Sequence, residues 1–151
     1  DESFGYVSKI IENSKSMLKA TVNKDVKIIE EILHDIHNSE IPILQYNDEN
    51  SLSCVLTLAY LSARDNYRVE REEKTGKGYA DFTFHPRRKN DTAFIVELKK
   101  DEKPEIALKQ IRSKEYVEKF KRENMGKKIL AVAICYDSKE KEHHCLIEEI
   151  D

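Results

Sequence analysis

No stretch of this sequence stays apolar for the ~18 residues that a membrane-spanning helix needs, and no N-terminal signal peptide is visible. Cysteine is scarce and odd in number: Cys54, Cys135 and Cys145, without CxxC spacing. That argues against a disulfide framework and against a zinc knuckle, and makes a reducing cytoplasm the default. Cys54 and Cys135 sit inside apolar runs, where a free cysteine behaves as a small hydrophobe. Positive charge is not in excess: 26 Lys and Arg against 29 Asp and Glu give a net charge of −3. No global basic field announces nucleic acid, so a polyanion has to be met by a local patch. There is neither an internal repeat nor a low-complexity tract. What remains is a chain of 151 residues, 39% hydrophobic and 36% charged, large enough for one domain with its own core. It begins at Asp1 rather than methionine and reads as a piece of a longer protein.

The periodicity predicts two leading amphipathic helices. The first spans 4–18, with Tyr6, Val7, Ile10, Ile11, Met17 and Leu18 recurring at helical spacing, and the second spans 25–37, with Val26, Ile29, Ile32, Leu33 and Ile36 on one face. His34 and His37 lie three apart on the second and, with no third ligand, read as surface residues. After the cap-rich turn 46–51, residues 52–63 are apolar nearly all round, the mark of a buried helix. Glu49 stands at its first turn, where the helix dipole favours a carboxylate. A strand over 67–70 and a charged, glycine-containing connector at 71–78 follow, then strands at 79–85 and 92–98. Pro104 can open a helix that runs to 122. Residues 128–136 are a near-continuous apolar strand of the kind found inside a sheet, and 144–150 alternate weakly, as an edge strand does. A strand that follows a long helix implies a crossover connection and a mixed sheet.

The chemistry is concentrated between Gly78 and Lys100. Side chains on a strand alternate, so Glu97 and Lys99 share one face while Phe94, Val96 and Leu98 share the other. An acid and a lysine on a mostly buried strand are costly to desolvate. Strands two and three form a hairpin; if its tip is centred on Lys89, Asp81 and Glu97 become cross-strand neighbours with Cβ atoms ~5 Å apart. Two carboxylates that close repel unless a cation lies between them, and hard divalent cations take oxygen ligands of this kind. Lys99 on the same face can hold a water or stabilise charge on a phosphate. Gln110 and Lys114 fall one turn apart on the following helix, on a face able to meet a phosphate backbone. Arg87, Arg88 and Lys89 at the tip, with His85, are further phosphate candidates, and Tyr79 beside the acid can stack on a base. The mixed charges Lys109, Arg112, Lys119, Lys121 and Arg122 with Glu115, Glu118 and Glu123 read as a solvated helix face. In His143-His144-Cys145 neighbouring side chains point to opposite faces, so they form no site by themselves.

GKGYAD, a hairpin, IVELKK and a helix containing ALKQIRSKEY together resemble the PD-(D/E)XK nuclease superfamily over roughly residues 46–140. More narrowly, they resemble the nuclease-like domain at the C-terminus of bacterial proteins with an AAA-type ATPase region. The resemblance implies an α/β restriction-endonuclease-like core of order α-β-β-β-α-β, with a mixed central sheet flanked by helices and N-terminal helices added. It divides the chain into a helical lead-in at 1–45, or the tail of a preceding domain, and a nuclease-like domain at 46–151. Asp81 matches the motif aspartate and Glu97-Leu98-Lys99 the acid-x-lysine core. Gln110 matches the helix glutamine of the RecB-like branch, and Glu49 the acid that some members carry on the first core helix. That branch has tyrosine four residues after the glutamine; here the position is Lys114, and Tyr116 lies on another face.

By this resemblance Asp81 and Glu97 bind Mg²⁺ or Mn²⁺ with the backbone carbonyl of Leu98 and Glu49 as further ligands. Lys99 and Gln110 complete the catalytic set, the substrate is DNA, and an N-terminal ATPase region of the same chain is a partner. The alternative is a non-catalytic DNA- or protein-binding module on an ATPase chain. A purely structural domain, with Glu97–Lys99 as a buried ion pair, is the third reading.

Overall fold

The computed structural model describes residues 2–40, 49–73, 80–113 and 115–151. Tyr79, Lys114 and the connector glycines lie outside them, and among the described segments the side chains of Glu49, Asp81 and Tyr116 are not described. Helices α1 (Glu2–Val22), α2 (Val26–Glu40) and α3 (Glu49–Ala59) lead through a short 3-10 helix, Leu61–Asp65, into the strands. These are β1 (Tyr67–Glu73), β2 (Ala80–Pro86) and β3 (Ala93–Lys100), followed by α4 (Pro104–Ser113), α5 (Glu115–Glu123), β4 (Ile129–Asp137) and β5 (Glu142–Ile150). The helix expected over 104–122 falls on α4 and α5, with the residue between them, 114, outside the described residues. The five strands form one sheet in chain order, antiparallel except for the β3–β4 pair. This mixed sheet with helices on both sides is the α/β architecture that the element order implied.

Two apolar layers cover the sheet. On one face Phe82, Phe84, Phe94, Val96, Leu98, Leu130, Val132 and Ile134 pack against Met17 of α1, Leu33 of α2 and Val55 of α3. On the other, Ala93, Ile95, Ile129, Ala131 and Ala133 pack against Ala107, Leu108 and Ile111 of α4 and Val117 and Phe120 of α5. β3 and β4 are covered on both faces, which is why their sequences run almost continuously apolar instead of alternating. β5 lies at an edge, as its weak alternation indicated. Glu30 of α2 covers part of that edge: the Cys145 N–H donates to its Oε2 at 2.9 Å, giving a partner to an edge donor that would otherwise face outward.

The leading helices differ from expectation in which side chains they bury. Tyr6, Val7 and Ile11 of α1 remain exposed, and among its described side chains the buried stripe begins at Ser14, Met17 and Thr21. Cys54 is exposed rather than core-packed, because α3 turns Leu52, Val55, Leu56 and Ala59 inward. His37 is buried rather than superficial. It lies four residues after Leu33, hence on the sheet-facing side of α2, and stacks on Tyr136 with ring centroids 4.8 Å apart.

His143 of β5 meets the His37 ring edge-on at 5.4 Å. Burial first, then the neighbouring His37, His34 and His144, pulls the His143 imidazole down to about 3. An imidazole whose folded value is depressed is held neutral by the fold. Its contribution is therefore fully present above the unfolded value near 6.5 and is lost as pH falls from there toward 3. At pH 5 the expected loss is about 2 kcal/mol. Urea unfolding at pH 7.5 and at pH 5 tests this. The wild type should lose stability on acidification, and His143→Phe, which keeps a ring but cannot titrate, should lose distinctly less. An equal loss in both would remove His143 as the cause.

Candidate active site

The β2–β3 ladder pairs Asp81 with Glu97, Phe82 with Val96, Thr83 with Ile95 and Phe84 with Phe94. These pairs are symmetric about position 89, which is the register expected for a tip centred on Lys89. Asp81 and Glu97 are therefore directly opposed on adjacent strands. The tip that sets the register is itself held: Lys127 Nζ donates to the carbonyls of Arg88 at 3.0 Å and Lys89 at 2.9 Å, and Arg88 pairs with Asp91 at 2.8 Å.

Glu97 occupies the face of β3 covered by α4 and α5, in line with Ala93 and Ile95. It is completely buried. Lys99 follows on the same face, its side chain 13% exposed, with Nζ 3.6 Å from Glu97 Oε1. Leu98 between them points to the opposite face, into the α1–α3 core, and lies one residue past the last β2–β3 pair among the described residues. Placing a carboxylate and an ammonium in an apolar wall is compensated only by their mutual attraction and further polar contacts.

The parallel β3–β4 register sets Cys135 beside Lys99 and Ala133 beside Glu97. Cys135 was legible only as an apolar-run cysteine, since nothing in a sequence reveals a parallel register across a helical crossover. Burial first, and then Glu102, Glu97 and Glu105, push its thiol up to about 12, with Lys99 opposing them. It is thus a neutral, buried thiol beside the lysine rather than a thiolate.

Gln110 lies half-buried on α4, next to the buried Ala107 and Ile111 that seat this helix on the sheet. Glu49 lies in α3 at the first described residue after 41–48, which are outside the described residues. Tyr79 and Lys114 fall outside the described residues. Among the described residues no group of three or more His, Cys, Asp or Glu is arranged to hold a metal; that set excludes the Asp81 and Glu49 side chains.

The basic tip is not part of this cluster. Arg87 stands six residues from Asp81 along β2, roughly 20 Å at strand rise, at the opposite end of the sheet from Lys99. His85 is not available to a phosphate at all. It is buried, its ring 4.8 Å from Phe120 and its Nδ1 3.3 Å from Asn124 Nδ2. Burial and then Arg68 lower its pKa, against Glu123. Local alternation puts His85 on the face of Thr83, and α5 happens to cover that face. Four charged residues of α5 are paired along the helix, Lys119 with Glu123 at 3.7 Å and Lys121 with Glu118 at 3.8 Å, as a solvated face would be.

The family model of the PD-(D/E)XK nuclease superfamily matches residues 47–144. No curated protein matches the chain.

Proposed function

The chain belongs to the PD-(D/E)XK nuclease superfamily, and from that premise we propose that it is a nuclease module hydrolysing phosphodiester bonds in DNA with Mg²⁺ or Mn²⁺. The observation that carries the reading is the opposed Asp81–Glu97 pair with Lys99 against a fully buried Glu97. The donor set fits a divalent metal. Nucleases of this superfamily generally use one, and hard cations take carboxylate and carbonyl oxygens.

In this reading Asp81 and Glu97 hold the metal, with the Leu98 carbonyl and Glu49 as further oxygen donors. Bound there, the cation supplies charge neutralisation at the phosphate and lowers the pKa of a bound water. Lys99, whose ammonium is held against Glu97, orients the attacking water and meets charge that develops on the phosphate. Gln110 positions the site from α4. Arg87, Arg88, Lys89 and Lys114 contact the strand away from the scissile bond, and Tyr79 stacks on a base. Residues 1–45 are a helical lead-in to the module at 46–151, and the module works in the cytoplasm, attached to an N-terminal ATPase region. No helix among the described residues is long and apolar enough to cross a membrane.

Calorimetric titration with Mn²⁺ tests the reading without relying on turnover. The wild type should bind the ion, and Asp81→Asn and Glu97→Gln should each lose the binding heat while keeping the fold by circular dichroism. A wild type that binds no Mn²⁺, or binds it as well after both substitutions, leaves a DNA- or protein-binding module as the better account.

A further inference from the structure

β3 and β4 run parallel, and the last pair of their ladder is Lys100 with Tyr136. A parallel pair has no hairpin turn to close its end, yet Lys99 sits within two residues of that end. The residue that closes it is Asp101. Its N–H extends the ladder by donating to the Tyr136 carbonyl at 2.8 Å. Its backbone then turns into the left-handed region, φ 55°, which residues with a β-carbon seldom adopt and which aspartate tolerates better than most. In that conformation the carboxylate reaches the turn beyond β4. Oδ1 accepts from the Ser138 N–H at 2.8 Å, and the Ser138 hydroxyl lies 2.8 and 2.7 Å from the two carboxylate oxygens. The receiving turn is braced in the same way, since Asp137 Oδ1 accepts from the N–H groups of Lys139 and Glu140. Three residues after Asp101, Pro104 opens α4, the helix that carries Gln110.

We propose that Asp101 is a positioning residue for the Glu97–Lys99 site, tying the end of β3 to the β4–β5 turn so that Lys99 keeps its place against Glu97 and α4 starts in a fixed direction. The tie itself stands on the hydrogen bonds above; its consequence for catalysis rests on the nuclease reading. Asp101 is exposed, so it contributes little to the core, and its removal alters geometry near the site more than folding.

Three variants separate the side chain from the backbone. Asp101→Asn keeps an acceptor for Ser138 and tolerates the left-handed φ. Asp101→Gly keeps only the φ. Asp101→Ala keeps neither. Loosening a catalytic lysine should cost roughly 10- to 100-fold in kcat, so Asp101→Gly and Asp101→Ala should fall by that factor with KM for DNA nearly unchanged, and Asp101→Asn should recover most of the rate. Amide hydrogen exchange over 98–101 is read in the same proteins, and should speed up in the glycine and alanine variants but not in the asparagine one. Faster exchange in a chain that cleaves nothing, wild type included, keeps the tie and removes the nuclease reading. Normal cleavage and unchanged exchange in Asp101→Gly remove the tie and keep the nuclease reading. Faster exchange with an unchanged kcat overturns the positioning role.

Discussion

In the nuclease reading Asp81→Ala should abolish cleavage of plasmid or single-stranded DNA in the presence of Mn²⁺ and Lys99→Ala should cut it steeply, for different reasons. Asp81 is one of two opposed acids, and without it the remaining carboxylate is a poor site for a hard cation. Activity should fall below detection, and Mn²⁺ affinity should fall with it. Lys99 is not a metal ligand in this reading, so Lys99→Ala should still bind Mn²⁺ while its kcat drops by about 10²- to 10³-fold, the range seen when one preorganised charge-stabilising donor is removed. The same substitution takes away the ammonium 3.6 Å from a carboxylate with no solvent exposure. Breaking a buried pair in this way costs on the order of 3 kcal/mol. The rate must therefore be read where circular dichroism shows the variant folded. Lys99→Met, which keeps the stem and loses only the charge, guards against mistaking unfolding for lost chemistry. If wild type and both alanine variants cleave equally, the site is structural and the assignment of these residues fails.

Phe94→Ala should be the most damaging of simple core truncations, at about 4 kcal/mol. Phe94 has no exposed surface. Its ring stacks on Phe84 with centroids 4.2 Å apart and planes 12° apart, and it also meets Tyr67 at 5.5 Å and Tyr60 at 5.7 Å. This knot joins β1, β2 and β3 to the chain after α3, so truncation loses the transferred apolar area, leaves a cavity that four elements would have to move to fill, and breaks several aromatic pairs. Against a total stability of typically 5–15 kcal/mol, the expected shift is about 2 M in the urea midpoint at an ordinary m-value. Val7→Ala, at a site 52% exposed, should change stability by less than about 0.5 kcal/mol. A loss under about 1 kcal/mol for Phe94→Ala would show that this aromatic knot is not packed as described.

The two predictions draw on parts of the molecule that differ in how far they could be read from residues alone. The five strands and the α-helical stretches were legible as elements, because periodicity and the positions of Pro104 and Gly126 act within a few residues. Their ends were less so: β1 runs to Glu73 instead of stopping at residue 70, and the helix expected over 52–63 gives way to a 3-10 helix from Leu61. The buried side of α2 was misjudged at His37, whose polarity suggested solvent while its spacing from Leu33 put it on the sheet.

What the sequence by itself determined is the opposition of Asp81 and Glu97 and the shared face of Glu97 and Lys99. Both follow from local rules: a hairpin tip sets the register of the strands that flank it, and strand side chains alternate. Tertiary structure alone decided the rest of the site's surroundings. Cys135 stands beside Lys99, His85 lies beneath α5, and Asp101 reaches Ser138 because β4 returns parallel to β3 after a helical crossover, and no turn residue encodes the register of a crossover that long. Only packing could also show that Glu97 is wholly buried, since the α4 and α5 layer that covers its face is contributed by residues that come after it in the chain.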